Sequence, residues 1–167
     1  GLKMDFVSII MGSKSDYEIM KNCADTLEMF GVKYELIISS AHRSPARTKA
    51  YIKEAEEKGA KVFIAAAGMA AHLAGALAAG TTKPVIGVPM KGGAMDGMDA
   101  MLSTVQMPAG MPVATVALGK AGAVNAAYLA IQILAIFDNE LAIKLKEDRI
   151  VKEKKVENDS KEIEVLI

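Results

Sequence analysis

Apolar and polar positions along this chain switch repeatedly between two rhythms, and the switching lays out its elements. Phe6–Met11 (FVSIIM) is a continuous apolar run that ends in Gly12-Ser13-Lys14-Ser15-Asp16, the pattern of a strand covered on both faces and closed by a turn. Met20, Cys23, Ala24, Leu27 and Phe30 then recur at helical spacing until Gly31 stops them. Tyr34–Ser39 reads as a second strand. A helix follows from Pro45 to Lys58, with proline at its first turn and Gly59 at its end. Val62–Ala67 is a third strand, followed by an Ala-rich helix from about Ala70 to Ala79. Pro84–Pro89 is a short fourth strand, and Gly92–Gly97 a glycine-rich, mobile loop. Met98, Met101, Leu102 and Val105 mark one apolar helical face; Pro112–Leu118 is the fifth strand, and a long helix runs from Gly122 onward.

Five buried strands alternating with helices predict an α/β fold, a three-layer α/β/α sandwich around a parallel sheet. By analogy with folds of this length the expected strand order is the flavodoxin-like 2-1-3-4-5, with ligands bound beyond the carboxyl ends of the strands. The 167 residues suit a single domain. Residues 1–148 are expected to form it, with 149–167 a charged C-terminal extension and not a second domain. In that tail Lys152–Lys155 continues a solvated helix end, and Lys161–Ile167 reads as a short extended segment, either loosely held or strapped across a neighbouring subunit.

Composition narrows the function classes. Lys plus Arg and Asp plus Glu both total 20, so no broad basic face is available for nucleic acid. One cysteine, Cys23, permits no internal disulfide and no Cys-based metal set; it falls in an apolar helical stripe and reads as a core thiol. The apolar stretch Gly119–Phe137 contains Lys120, Asn125 and Gln132 and reads as a packed soluble helix, not a membrane span. No signal-peptide pattern opens the sequence, Gly1-Leu2-Lys3 ahead of Met4 reads as an added remnant, and the cytoplasm is the expected compartment.

Three polar clusters fall just after strands. Gly12-Ser13-Lys14-Ser15-Asp16 joins a tight turn, hydroxyls and a helix N-terminus, which suits a phosphate; equally, Ser15 or Asp16 caps the helix. Ser40-Ala41-His42-Arg43-Ser44-Pro45 places a planar cationic fork and a group titrating near neutrality in one loop. Gly68-Met69-Ala70-Ala71-His72-Leu73 carries the second of only two histidines. Both histidines therefore follow strands at one ligand-binding edge. The spacings of a P-loop, a dinucleotide fingerprint, a nucleophile elbow and a zinc site are absent.

MGSKSD at 11–16, SAHRSP at 40–45, AAHLAG at 70–75, GVP at 87–89 and STVQMPAGMPVATVALGKAGAVNAA at 103–127 resemble, in order and spacing, the motifs of the PurE family, the carboxyaminoimidazole ribonucleotide mutases of purine biosynthesis. The resemblance spans about residues 5–145. It implies a flavodoxin-like protomer in a homo-octamer with sites at subunit junctions. It also implies a reaction in which a carboxylate moves from the exocyclic nitrogen of an aminoimidazole ribonucleotide to the ring carbon. His42 matches the general acid/base. Ser13, Asp16 and Arg43 match ribonucleotide-binding positions, Asp16 for the ribose hydroxyls and the other two for phosphate, with Ser15 in the same loop. Ser40, Gly68 and His72 match a carboxylate pocket, with Gln106–Gly110 and Gly92-Gly93 as lid candidates. No metal or organic cofactor is implied. The chain departs from the family pattern at Met69, where many relatives have Gly, and at Ala74, where many have Pro. The alternatives are a direct aminoimidazole ribonucleotide carboxylase using carbon dioxide and a non-catalytic phosphate- or nucleotide-binding module of the same fold.

Overall fold

The computed structural model describes residues 4–167; the leading Gly1-Leu2-Lys3 lie outside the described residues. These residues divide into two compact units, one ending at Ala130 and one running from Ile131 to Ile167.

The first unit is built on a five-stranded sheet: β1 (Phe6–Met11), β2 (Tyr34–Ile38), β3 (Ala60–Ala67), β4 (Val85–Pro89) and β5 (Ala114–Thr115). All neighbours are parallel, as the alternation of elements predicts, and the order is β2-β1-β3-β4-β5, the one expected by analogy with folds of this length. Its helices are α1 (Tyr17–Met29), α2 (Pro45–Lys58), α3 (Leu73–Gly80), α4 (Met98–Val105) and α5 (Gly119–Ala135), the last continuing past Ala130.

Side chains alternate across the sheet with period two. Phe6, Ile10, Phe63 and Ala65 face one way and pack with Ile52 and Ala55 of α2 and Leu73, Ala74 and Leu77 of α3. On the opposite face a Cβ at Gly122 of α5 would come within 3.3 Å of Val88, and the edge-to-face pair Phe30–Tyr128 ties the end of α1 to α5. Layers on both faces make β1, β3 and β4 almost wholly buried. β2 and β5 are not: as edge strands they are covered only in part, which corrects the expectation of five buried strands.

The ladder runs past the carboxyl ends of the central strands. Gly12 N donates to Ala66 O at 3.0 Å, Ser39 N to Met11 O at 2.9 Å, and Met90 N to Ala67 O at 3.0 Å. The loops after β1, β2 and β4 thus leave the sheet from a fixed first residue.

In the second unit α6 (Asn139–Ile163) begins where Asp138 accepts a hydrogen bond from Leu141 N at 3.1 Å, so the single long helix expected from Gly122 is in fact two. Helix persists to Ile163, three residues into the Lys161–Ile167 segment expected to be extended, and from Glu164 the backbone leaves the helix. Lys155 pairs with Asp159 at 2.6 Å and Ser160 with Glu164 at 2.5 Å, i,i+4 contacts that favour helix over strand. Among the described residues no helix is long and apolar enough to cross a membrane.

Candidate active site

Four loops leave the carboxyl edge of β1, β2, β3 and β4 and enclose a cavity of about 540 Å³. All eight residues singled out from the sequence line it: Ser13, Ser15, Asp16, Ser40, His42, Arg43, Gly68 and His72.

The loop after β1 turns through one 3-10 turn, Lys14–Asp16, whose N-cap is Ser13, its hydroxyl accepting from Ser15 N at 3.3 Å. Asp16 starts α1 but makes no side-chain cap bond. Ser13 thus caps the 3-10 turn, α1 has no side-chain cap at Asp16, and Asp16 lines the cavity. Partial burial pushes its pKa above the ordinary carboxyl range, opposed by a backbone hydrogen bond from Ser13.

The loop after β2 is knitted to the start of α2 by hydroxyls. Ser44 Oγ accepts from Ser40 N at 2.9 Å, Ser40 Oγ accepts from Arg43 N at 3.0 Å, and buried Ser39 and Thr48 are joined at 2.6 Å. That network fixes the backbone beneath two exposed side chains. Arg43 reaches across to donate from Nη2 to Gly12 O at 3.0 Å, uniting the first two loops and keeping its remaining donors free. His42 turns the other way, toward β3.

The loop after β3 turns sharply at Met69, whose φ of 51° lies in the left-handed region that favours glycine. Tight bonds follow, Ala71 N to Met69 O at 2.8 Å and His72 N to Ala70 O at 2.9 Å, so α3 starts at Leu73, three residues later than the Ala-rich pattern suggests. His72 occupies the N-cap without capping the helix, and its Nδ1 lies 2.7 Å from His42 Nε2, the rings crossing edge-to-face at 79°. One of these two nitrogens carries the shared hydrogen and the other the lone pair. The pair can therefore hold a proton at the cavity and change which ring holds it.

In the fourth wall, Gly92-Gly93 were expected as part of a lid, whereas Met90 and Lys91 were not singled out. Met90, Lys91, Gly92 and Gly93 complete the lining, and Lys91 adds a second basic side chain to that of Arg43. The signal was available, since Lys91 follows a strand just as the other clusters do. Of the lid candidates, Gly92-Gly93 line this cavity, whereas Gln106, Met107 and Pro108 line a neighbouring cleft that shares His72 with it. No group of three or more His, Cys, Asp or Glu among the described residues is arranged to hold a metal ion.

A single cavity with an imidazole pair, a guanidinium, hydroxyls beside a helix start and a carboxylate is equipped to bind a phosphorylated sugar and move protons on it. The family model described as AIR carboxylase matches residues 6–155, and the chain belongs to that family. The N5-carboxyaminoimidazole ribonucleotide mutase of Bacillus subtilis is 57% identical over 143 residues, 86% of this chain and 88% of that protein. The protein of the same name from Pyrococcus horikoshii is 52% identical over 160 residues, 96% of this chain and 89% of its own length. In structure, the chain is similar to crystalline Treponema denticola PurE, with a TM-score of 0.88 at 28% identity, covering 97% of this chain and all of the other.

Proposed function

We propose that this chain is the N5-carboxyaminoimidazole ribonucleotide mutase of purine biosynthesis, forming 4-carboxy-5-aminoimidazole ribonucleotide, and that His42 carries its proton transfers. The observation that carries the reading is the contact of His42 with His72 inside a cavity also lined by Ser13, Ser15, Asp16 and Arg43.

Ser13, Ser15 and Arg43 hold the phosphate at the α1 end of the cavity, where backbone N–H groups and a guanidinium favour an anion. Asp16 accepts the ribose hydroxyls. Protonated His42 gives its proton to the exocyclic nitrogen as the N–C bond to the carboxylate breaks, which leaves an amine and carbon dioxide. The electron-rich ring carbon then attacks that carbon dioxide, forming the new C–C bond, and neutral His42 removes the ring proton. Carbon dioxide offers no charge to grip, so Ser40, Gly68 and His72 act by confining and orienting it. One imidazole serves both proton transfers, acting as the acid when protonated and as the base when neutral.

Residues 1–148 act as the catalytic domain in this reading, with 149–167 an extension. The enzyme works in the cytoplasm as a homo-octamer. The cleft beside His72, walled by Leu102, Met107 and Met111, offers apolar surface for a second copy to cover.

The test is conversion of N5-carboxyaminoimidazole ribonucleotide with no bicarbonate added. Turnover under those conditions is expected. Turnover only of the uncarboxylated ribonucleotide, and only with bicarbonate, would assign the direct carboxylase instead.

A further inference from the structure

Lys91 has no place in the motifs that point to this chemistry, yet it stands in the same cavity as the two histidines. Its backbone is held on two sides. Met90, just before it, continues the β3–β4 ladder, and Gly97 packs so closely that a β-carbon there would lie 3.2 Å from Lys91 Cα. Beyond it, Met69 lies against Gly93, where an added β-carbon would be 3.4 Å from the Met69 side chain. The lysine therefore projects from the fixed foot of the glycine loop. Its ammonium has no hydrogen-bond or ion-pair partner among the described residues, whereas Lys21, Lys58 and Lys61 each meet a carboxylate.

The row of strands says which end of a ligand it serves. The loops after β2 and β4 stand at the two ends of the cavity, three strand spacings or roughly 14 Å apart. Arg43 belongs to the first end and is tied over β1; Lys91 belongs to the other, beyond the β3 loop that bears His72. A ligand with its phosphate at Arg43 and its reacting base at His42 and His72 directs the base's carboxylate toward β4.

We propose that Lys91 is the carboxylate anchor of the site, pairing with the migrating carboxylate in both substrate and product. This rests on the ribonucleotide reading above and deepens it. The carboxylate sits on the nitrogen before reaction and on the adjacent ring carbon after it. A point charge on a flexible four-carbon stem follows that shift, where a planar guanidinium would be committed to one geometry. Between the two states carbon dioxide is neutral and the pairing lapses, so the ammonium favours each carboxylated form over escape of the gas.

The experiment compares full-length wild type with Lys91→Gln and Lys91→Arg, all checked for equal melting temperature. Calorimetry measures binding of 4-carboxy-5-aminoimidazole ribonucleotide and of 5-aminoimidazole ribonucleotide, which differ only in the carboxylate. Lys91→Gln is expected to weaken the carboxylated ligand by about tenfold or more and leave the other unchanged, with Lys91→Arg recovering part of the loss. Equal loss for both ligands, or loss for neither, overturns the anchor while leaving the ribonucleotide reading standing. Failure of wild type to bind either ligand overturns that reading and the anchor with it.

Discussion

Two clusters of polar side chains in this fold are made from similar groups and have opposite fates. In the first, Ser8 on β1 is fully buried and its hydroxyl lies 2.9 Å from Tyr51 Oη; Tyr51 donates to Glu35 at 2.9 Å, and Lys58 pairs with the same carboxylate. Every group is occupied, and burial pushes the Tyr51 hydroxyl well above its ordinary range, so it stays a neutral donor. In the second, at the carboxyl edge of the same sheet, His42 and His72 meet in an open cavity, Asp16 caps nothing, and Arg43 has donors to spare. A closed network joins elements, here β1, β2 and α2. An open one retains bonding capacity for a ligand. Unspent donors, acceptors and access separate the two clusters.

Breaking the open cluster has the largest expected effect. His42→Asn removes the proton carrier and is expected to lower kcat about a hundredfold to ten-thousandfold, with the melting temperature unchanged, because the loop backbone is held by Ser40 and Ser44. Breaking the closed cluster has the converse result. Tyr51→Phe leaves the Ser8 hydroxyl buried without its partner and is expected to cost about 1–3 kcal/mol of stability. Thermal unfolding reads this as a fall of several degrees, while kcat per folded enzyme stays the same.

Asp16→Asn sharpens the contrast with the smallest change. The folded-state pKa of Asp16 is raised above the unfolded value of 3.8, so folding disfavours the anion. That penalty is present at neutral pH and disappears as pH falls through the raised pKa, where the carboxyl protonates. The variant is therefore expected to melt at the same or a slightly higher temperature at pH 7, and the difference should vanish below pH 3.8. Ribonucleotide affinity should nonetheless fall roughly tenfold to a hundredfold, since a charged acceptor is lost. A clear loss of stability at pH 7 would place Asp16 with the structural cluster.

Much of the fold was legible because its signals are redundant. The run Phe6–Met11 gives β1 residue for residue, and Pro45 with Gly59 brackets α2, Gly59 closing it in the left-handed region. Legibility failed where one local feature outweighs pattern. An Ala-rich segment carries no start signal, so the left-handed turn at Met69 sets the beginning of α3. Pro112–Leu118 has the composition of a full strand, but only Ala114 and Thr115 pair with β4, though Val116 N still reaches Gly87 O at 3.1 Å. The break before α6 was written in Asp138, a capping residue inside an otherwise helical run. In the site, the sequence placed eight residues at a common edge, and the structure gathers all eight into one cavity. Lys91 escaped notice because a glycine-rich loop draws attention to its mobility and away from the fixed residue at its foot.

The chain contains only two histidines, and both are in this cavity, so the ring nitrogens of ¹⁵N-histidine-labelled protein report on the site without interference. The most direct test of the account is to titrate that protein with 4-carboxy-5-aminoimidazole ribonucleotide and follow the ¹⁵N signals. Both rings are expected to shift together along one saturation curve, and His72→Asn should displace the His42 signals before any ligand is added. Signals that stay fixed while the ribonucleotide binds would contradict the assignment of this histidine pair as the place where the proton is moved.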